Sequence, residues 1–186
     1  LNLPYFFIIA QNKDITISPR FYNDDKLLLQ SEYRQKNEGS SQIGDLSQFY
    51  TNENNSKGHL FYNLNKVFSN KNFKNIDFNL RLEQVSDETY LKAYKIKSPI
   101  INNLSELTNS INLNFYDDDL SINTNIDVYE DLSKKDSDKH EYVPNFNFSK
   151  VINENYSINS IGYYKNYNTN ITEKVLINNL EFNSNL

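Results

Sequence analysis

His59 and His140 are the only imidazoles in this 186-residue chain. They stand far apart, and neither belongs to a metal-ligand spacing such as H-E-x-x-H. Each neighbours turn-forming residues, so both read as exposed turn histidines. Carboxylates gather at Asp24-Asp25 and Asp117 to Asp119, where Asp is favoured because its side chain bonds the local backbone. A calcium loop would alternate ligands around a central Gly, which Asp117 to Asp119 lacks. With no Cys there is no thiolate metal site, disulfide framework or cysteine nucleophile. Neither a Gly-rich phosphate loop nor a G-x-S-x-G elbow is present, and no spacing of Ser, His and Asp singles out a triad. The expectation is a protein that is not an enzyme, with no catalytic residue, metal or cofactor.

The elements that carry these residues must therefore do something other than covalent chemistry. At 38% hydrophobic and 14% aromatic, the chain has too much apolar material for a disordered tail. Its mean hydropathy is nonetheless -0.72, and no stretch approaches the ~20 apolar residues a membrane helix needs. Both facts suit an outer-membrane barrel, in which only alternate residues of each strand meet lipid. A net charge of -5 and scattered Lys and Arg argue against a nucleic-acid partner. The chain opens at Leu1 without a secretory leader, which reads as an internal piece of a longer protein. The abundance of Asn, as in Asn54-Asn55, Asn102-Asn103 and Asn178-Asn179, matches a genome rich in A and T codons, and Asn is given no role.

Strict two-residue alternation dominates the chain and places one set of side chains on each face of a strand. Ile76, Phe78, Leu80 and Leu82 interleave with Asp77, Asn79, Arg81 and Glu83. Leu120 to Val128 repeats the pattern, as do Ile111, Leu113 and Phe115 and, earlier, Leu60, Tyr62 and Leu64. Ile15, Ile17, Pro19 and Phe21 alternate with Asp14, Thr16, Ser18 and Arg20; Leu27, Leu29, Ser31 and Tyr33 alternate with Gln30, Glu32 and Arg34. Weaker versions occupy Ile43 to Tyr50, Asn145 to Ile152, Tyr156 to Tyr164 and Lys174 to Phe182. The count is ten or eleven strands. Polar turn clusters separate them at Asn23 to Asp25, Lys36 to Ser41, Asn52 to Gly58, Asp117 to Asp119 and Ser133 to Glu141. The short spacing favours an antiparallel meander. One longer interruption, Gln84 to Ser105, reads as a loop or as a loop with a short helix near Asp87 to Ala93.

A soluble β-sandwich shows the same two-faced strands. It needs many Gly and Pro turns and a clustered core, whereas this chain has four of each. Its polar faces carry mixed charges, such as Arg81 between Asp77 and Glu83, which suits a hydrated barrel interior. Tyr22, Tyr33, Tyr50, Phe115, Tyr116 and Tyr129 fall near strand ends, where barrels carry aromatic girdles. On this reading Ile15, Ile17, Phe21, Ile76, Phe78, Leu80 and Leu82 face lipid. Asp14, Arg20, Glu32, Arg34, Asp77, Arg81 and Glu83 face the lumen.

The first residues add a family. Leu3-Pro4-Tyr5-Phe6-Phe7-Ile8-Ile9-Ala10-Gln11-Asn12-Lys13-Asp14-Ile15-Thr16-Ile17-Ser18-Pro19-Arg20 resembles the LptD segment P-Y-aromatic-x-I-A-P-N-x-D-x-T-hydrophobic-x-P, with Gln11 in place of the usual Pro. Ser31 to Arg34 is similar to that family's E-[FY]-R strand, Phe78 to Asp87 to its V-S-D stretch with Tyr90 following, and Tyr142 to Phe146 to a later strand start.

The resemblance implies an all-β protein: an antiparallel up-and-down meander forming part of a large outer-membrane barrel of about 26 strands. Residues 1–186 would be its first strands, with the periplasmic domain and later strands outside the chain. It implies lipopolysaccharide as cargo, received from the periplasmic bridge protein LptA with the plug lipoprotein LptE as partner, and released through a seam between first and last strands. Pro4 and Pro19 then become lateral-gate candidates, because proline withholds a ladder N–H. Two other classes remain: a porin or receptor barrel, whose signature would be a long constriction loop folded inward, and a soluble or surface-attached β-rich adhesion or structural protein.

Overall fold

The computed structural model describes residues 2–22, 26–50, 57–134, 139–167 and 170–182, with backbone alone at 166–167, 170–174 and 182. The turn cluster at Asn23 to Asp25, most of the one at Asn52 to Gly58 and part of the one at Ser133 to Glu141 lie outside them. Eleven strands follow in order: β1 Tyr5–Ala10, β2 Lys13–Phe21, β3 Leu27–Asn37, β4 Ser40–Tyr50, β5 Lys57–Phe68, β6 Asn75–Val85, β7 Glu106–Tyr116, β8 Leu120–Asp131, β9 His140–Asn153, β10 Tyr156–Tyr167 and β11 Asn170–Phe182. They form one sheet in sequential order, each pairing antiparallel with the next. After the six-residue β1, every strand has 9 to 14 residues, enough to cross the hydrocarbon layer when tilted, which takes about 9–11. Among the described residues β1 and β11 pair with no strand beyond β2 and β10, so the sheet is open.

Register carries the alternation of each strand across the whole sheet. One row runs Phe7, Ile15, Tyr33, Gly44, Tyr62, Leu82 from β1 to β6. On the same face, Leu64, Leu80, Ile111, Ile126 and Pro144 form a second row. The opposite face carries Asp14, Arg34, Ile43, Asn63 and Arg81, and beside them Thr16, Glu32, Asp45, Phe61 and Glu83. A slip of one residue in any strand would exchange the two sets.

Four short connections, 11–12, 38–39, 117–119 and 154–155, lie at one end together with 69–74, and one, 168–169, lies at the other. The Lys36 to Ser41 cluster closes as a two-residue turn with Gly39 at φ 70, a left-handed conformation that favours Gly. A Cβ there would come within 2.8 Å of the Val67 carbonyl oxygen, to whose residue Gly39 also lends its own carbonyl as acceptor for Val67 N–H at 2.7 Å. Pro144 interrupts the β9–β10 ladder, which passes from Asn145↔Tyr163 to Tyr142↔Asn166, because proline has no N–H to donate.

The longest connection, 86–105, leaves the opposite end and folds back across the polar face. Of the helix expected near Asp87 to Ala93, one turn forms, α1 Tyr90–Ala93. Asp87 Oδ1 accepts both the backbone N–H and the hydroxyl of Thr89, at 2.8 and 2.5 Å, so the residues before Tyr90 are held in a local turn instead. Tyr90, Leu91, Ile96 and Ile100 are buried against Leu28, Phe49, Phe61, Leu107 and Leu132. This corrects the expectation of a uniformly hydrated polar face. Leu28, Phe49 and Phe61 lie on it, and the connection's own apolar side chains cover them.

Candidate functional site

The 86–105 segment is a strap over the polar face of β2 to β6, and its backbone carbonyls do much of the fastening. Arg20 Nη1 donates to the carbonyls of Tyr94 and Lys95 at 3.2 and 3.4 Å, and its Nη2 donates to Gln30 Oε1 at 2.6 Å. Gln30 Nε2 donates to the Lys97 carbonyl at 2.9 Å and to both Asp45 oxygens at 3.0 and 2.9 Å. Arg81 Nη2 reaches the Ile100 carbonyl at 2.9 Å. Strap carbonyls that would otherwise be orphaned are thus satisfied by side chains that strand register presents in a line.

Under the strap lies a buried chain of four polar residues. His59 Nε2 stands 3.1 Å from Asp45 Oδ1, His59 Nδ1 is 2.6 Å from Ser47 Oγ, and Ser47 Oγ is 2.6 Å from the Tyr90 hydroxyl. The carboxylate can only accept, so in a neutral ring Nε2 donates to it and Nδ1 accepts the Ser47 proton, leaving Ser47 Oγ to accept from Tyr90. Burial pushes the Tyr90 phenol up to about 12 against the pull of its Ser47 bond, so it remains a donor at neutral pH. The set contains a serine, a histidine and an aspartate in contact. Its serine is 3% exposed and bonded to the Tyr90 hydroxyl, so the arrangement ties the strap to the wall.

His59 corrects the sequence reading directly: it is 3% exposed, lies within β5 and stacks on Phe61 with ring centroids 4.2 Å apart. The signal that could have found it was present. Extending the Leu60, Tyr62, Leu64 alternation back by one residue puts His59 and Phe61 on the polar face, opposite Ser47 and Asp45. His140 begins β9, half-buried, 3.7 Å from Glu130. Glu83, 1% exposed, accepts from Arg81 at 2.5 Å and from Thr108 N–H at 2.8 Å, which satisfies a buried carboxylate. Two further ties fix the start of the strap. Lys57 pairs with Asp87 at 3.2 Å, and the Thr89 bonds together with this lysine bring Asp87 down to about 2. Lys139 pairs with Glu130 at 2.7 Å and Glu88 at 3.2 Å.

The other face is open. Leu46, Leu60, Leu82, Ile111, Ile126, Phe146 and Leu176 are each more than a third exposed, and among the described residues no layer covers them. Ile15, Ile17, Phe21, Ile76, Phe78, Leu80 and Leu82 all lie on this face by register. Ile76 differs from the rest in being 2% exposed, flanked in register by Phe68 and Phe115. Asp14, Arg20, Glu32, Arg34, Asp77, Arg81 and Glu83 all lie on the strap side. There Arg34 bonds Asp14 at 2.8 Å and Glu32 at 3.1 Å, an ion-paired group beyond the strap.

At the free edge, the two prolines withhold donors in different directions. Leu3 N–H donates to the Pro19 carbonyl at 3.2 Å, so Pro19 turns its backbone toward the chain preceding β1, and the N–H it lacks would have pointed there too. Neighbouring residues face opposite sides of a strand, so Pro4 turns its donorless nitrogen toward the unpaired edge. The β1–β2 ladder accordingly stops at Tyr5↔Ile17, with one isolated bridge beyond it at Asn2↔Arg20.

The family model for LptD, LPS transport system D, matches residues 55–175, about two thirds of the chain. The chain belongs to the LptD family. The match covers β5 to β10, the strap included, and with it the chain takes a place among outer-membrane proteins of lipopolysaccharide transport and assembly. No curated protein matches it. A long constriction loop folded inward is the feature expected of a porin or receptor; here the long connection over the polar face lies in a segment matched by LptD. No helix of the described residues is long and apolar enough to cross a membrane.

Proposed function

We propose that this sheet is the stretch of an LptD barrel wall beside the lateral opening through which lipopolysaccharide passes into the outer leaflet. Its open apolar face lies against hydrocarbon, and its strap-bearing face lines the lumen. The observation that carries this reading is the division of the sheet: one face is apolar and uncovered over successive strands, and the other holds the ion pairs Arg34–Asp14 and Arg81–Glu83. In water such an uncovered face would be an association surface; in a bilayer it is the surface a barrel needs. The end bearing the strap looks outward, because outer-membrane barrels keep their short turns on the periplasmic side and four of the five shortest connections lie at the end away from the strap. Pro4 and Pro19 lie at the seam and lower the cost of parting it, Pro19 by one bond toward the chain before β1 and Pro4 by one donor on the free edge. In this reading LptA delivers the cargo and LptE plugs the barrel.

Single-cysteine labelling of the complete protein in proteoliposomes tests it, and this segment has no native Cys to remove. Cysteines at Leu80, Ile111 and Ile126 should resist a membrane-impermeant thiol reagent and be quenched by bilayer-embedded probes; those at Asn63 and Asp77 should react from water. Equal reaction on both faces would refute the assignment. Replacing both Pro4 and Pro19 with Ala should slow lipopolysaccharide delivery, and an unchanged rate with unchanged seam crosslinking would remove the gate role alone.

A further inference from the structure

Beside the strap, on the lumen side of β2 and β3, lies a cavity of about 440 Å³ lined by Thr16, Ser18, Arg20, Gln30, Lys95 and Lys97 among others. We propose that it is a phosphate-binding subsite for the anionic sugar portion of the glycolipid cargo. The chain as a whole is acidic, with a net charge of -5, yet three cations converge here. None has a carboxylate within ion-pair distance among the described residues. Arg20 spends its terminal nitrogens on neutral oxygens, the Tyr94 and Lys95 carbonyls and Gln30, and its Nε is buried with no partner. Lys95 and Lys97 are exposed. Glu32, the one acid in the lining, is committed to Arg34 at 3.1 Å.

The backbone points the same way. Lys95 sits at φ 47, a left-handed conformation unfavourable for a residue with a side chain and easily met by Gly or Asn. A lysine at that position keeps a cation at the cavity mouth while its carbonyl is turned onto Arg20. Lysines with free ammonium groups, an arginine and the Thr16 and Ser18 hydroxyls together supply the donors that phosphate oxygens accept. A cavity this small takes a phosphorylated sugar more readily than a protein segment.

The inference rests on the transport reading, and the experiment separates the two. The complete protein, in detergent, is titrated with lipopolysaccharide before and after enzymatic removal of its phosphates, and with inorganic phosphate as competitor. Wild type should prefer the phosphorylated form, with inorganic phosphate displacing it. Lys95→Gln/Lys97→Gln should lose about tenfold in affinity for the phosphorylated form and little for the other, the size expected for two partly exposed charge contacts; Lys95→Arg/Lys97→Arg should restore it. Equal affinity of wild type for both forms, or equal loss on both in the variant, overturns the subsite and leaves the transport reading standing. Binding of inorganic phosphate with no binding of either glycolipid overturns both. Loss of LptE from the purified complex with unchanged glycolipid affinity would assign the lysines to a protein partner and overturn the proposal. Should the double variant not fold, Lys97→Gln alone and the wild-type comparison decide it.

Discussion

Truncating Tyr90 should release the strap while leaving the barrel wall standing. Tyr90 is fully buried, packs against the wall beside His59 with ring centroids 6.0 Å apart and bonds Ser47 Oγ at 2.6 Å. Removing a buried aromatic side chain costs about 3–5 kcal/mol. Because that packing joins the strap to the wall, the cost falls on strap closure rather than on strand pairing, which the β ladders hold independently. At about 1.4 kcal/mol per power of ten, the open-strap population in Tyr90→Ala should rise by two to three and a half powers of ten. Tyr90→Phe keeps the packing and loses one hydrogen bond, about 1 kcal/mol net, or roughly fivefold. Trypsin reads the population directly, since Lys92, Lys95 and Lys97 are exposed but must leave the wall to enter a protease cleft, and cleavage follows the open fraction when closing is fast. Cleavage of the full-length protein in detergent should therefore rank wild type, Tyr90→Phe, Tyr90→Ala, with heat-modifiable barrel migration unchanged. Equal cleavage rates in all three would refute the anchoring, and loss of barrel migration in Tyr90→Ala would refute the independence of strap and wall.

Gly39→Ala should destabilise the β3–β4 hairpin by about 1–3 kcal/mol, the combined cost of a side chain in the left-handed region and of moving the Val67 carbonyl; a lower denaturant midpoint of the refolded barrel measures it, and an unchanged midpoint would contradict the φ 70 turn. Strap closure should also weaken in acid. The Asp87 carboxyl is held at about 2, below its ordinary 3.8, so its contribution is present above pH 3.8 and fades as the pH falls through 2. Hydrogen exchange in the strap should accelerate across that window in wild type and lose that component of its pH dependence in Asp87→Asn.

The wall was legible in the sequence and the strap was not, and the difference is one of period. Ile76, Phe78, Leu80 and Leu82 announce a face because every second residue repeats it, and register then extends that face to strands such as β10, whose own alternation is weak. Tyr90, Leu91, Ile96 and Ile100 follow no period. Their partners Leu28, Phe49 and Phe61 sit at nominally polar positions, and Phe49 and Phe61 share that face of their strands with Ile43 and Val67. Leu28 is hidden further in the run Leu27-Leu28-Leu29, where either parity could be the apolar one. Asp45, Ser47 and His59 are ordinary polar-face residues until Tyr90 arrives across 43 positions of sequence from Ser47. No local pattern encodes that encounter.

The strap also explains why a polar wall tolerates apolar residues at all. A hydrated lumen would leave Leu28, Phe49 and Phe61 wet, and a strap of purely apolar residues would strand its own carbonyls against the sheet. The observed solution joins both needs: aromatic and aliphatic side chains cover the exceptions, while Arg20, Gln30 and Arg81 take up the carbonyls of Tyr94, Lys95, Lys97 and Ile100. Arg20 lies one position after Pro19, on the strand that pairs with β1. The strap is therefore tied to the second strand at the place where pairing with the first is thinnest, so the sheet is braced from its polar face just inside its free edge. On the gating reading proposed above, a seam at this edge opens without unravelling only if the strand next to it is held by something other than the departing strand, and the bonds of Arg20 to the strap are such a hold.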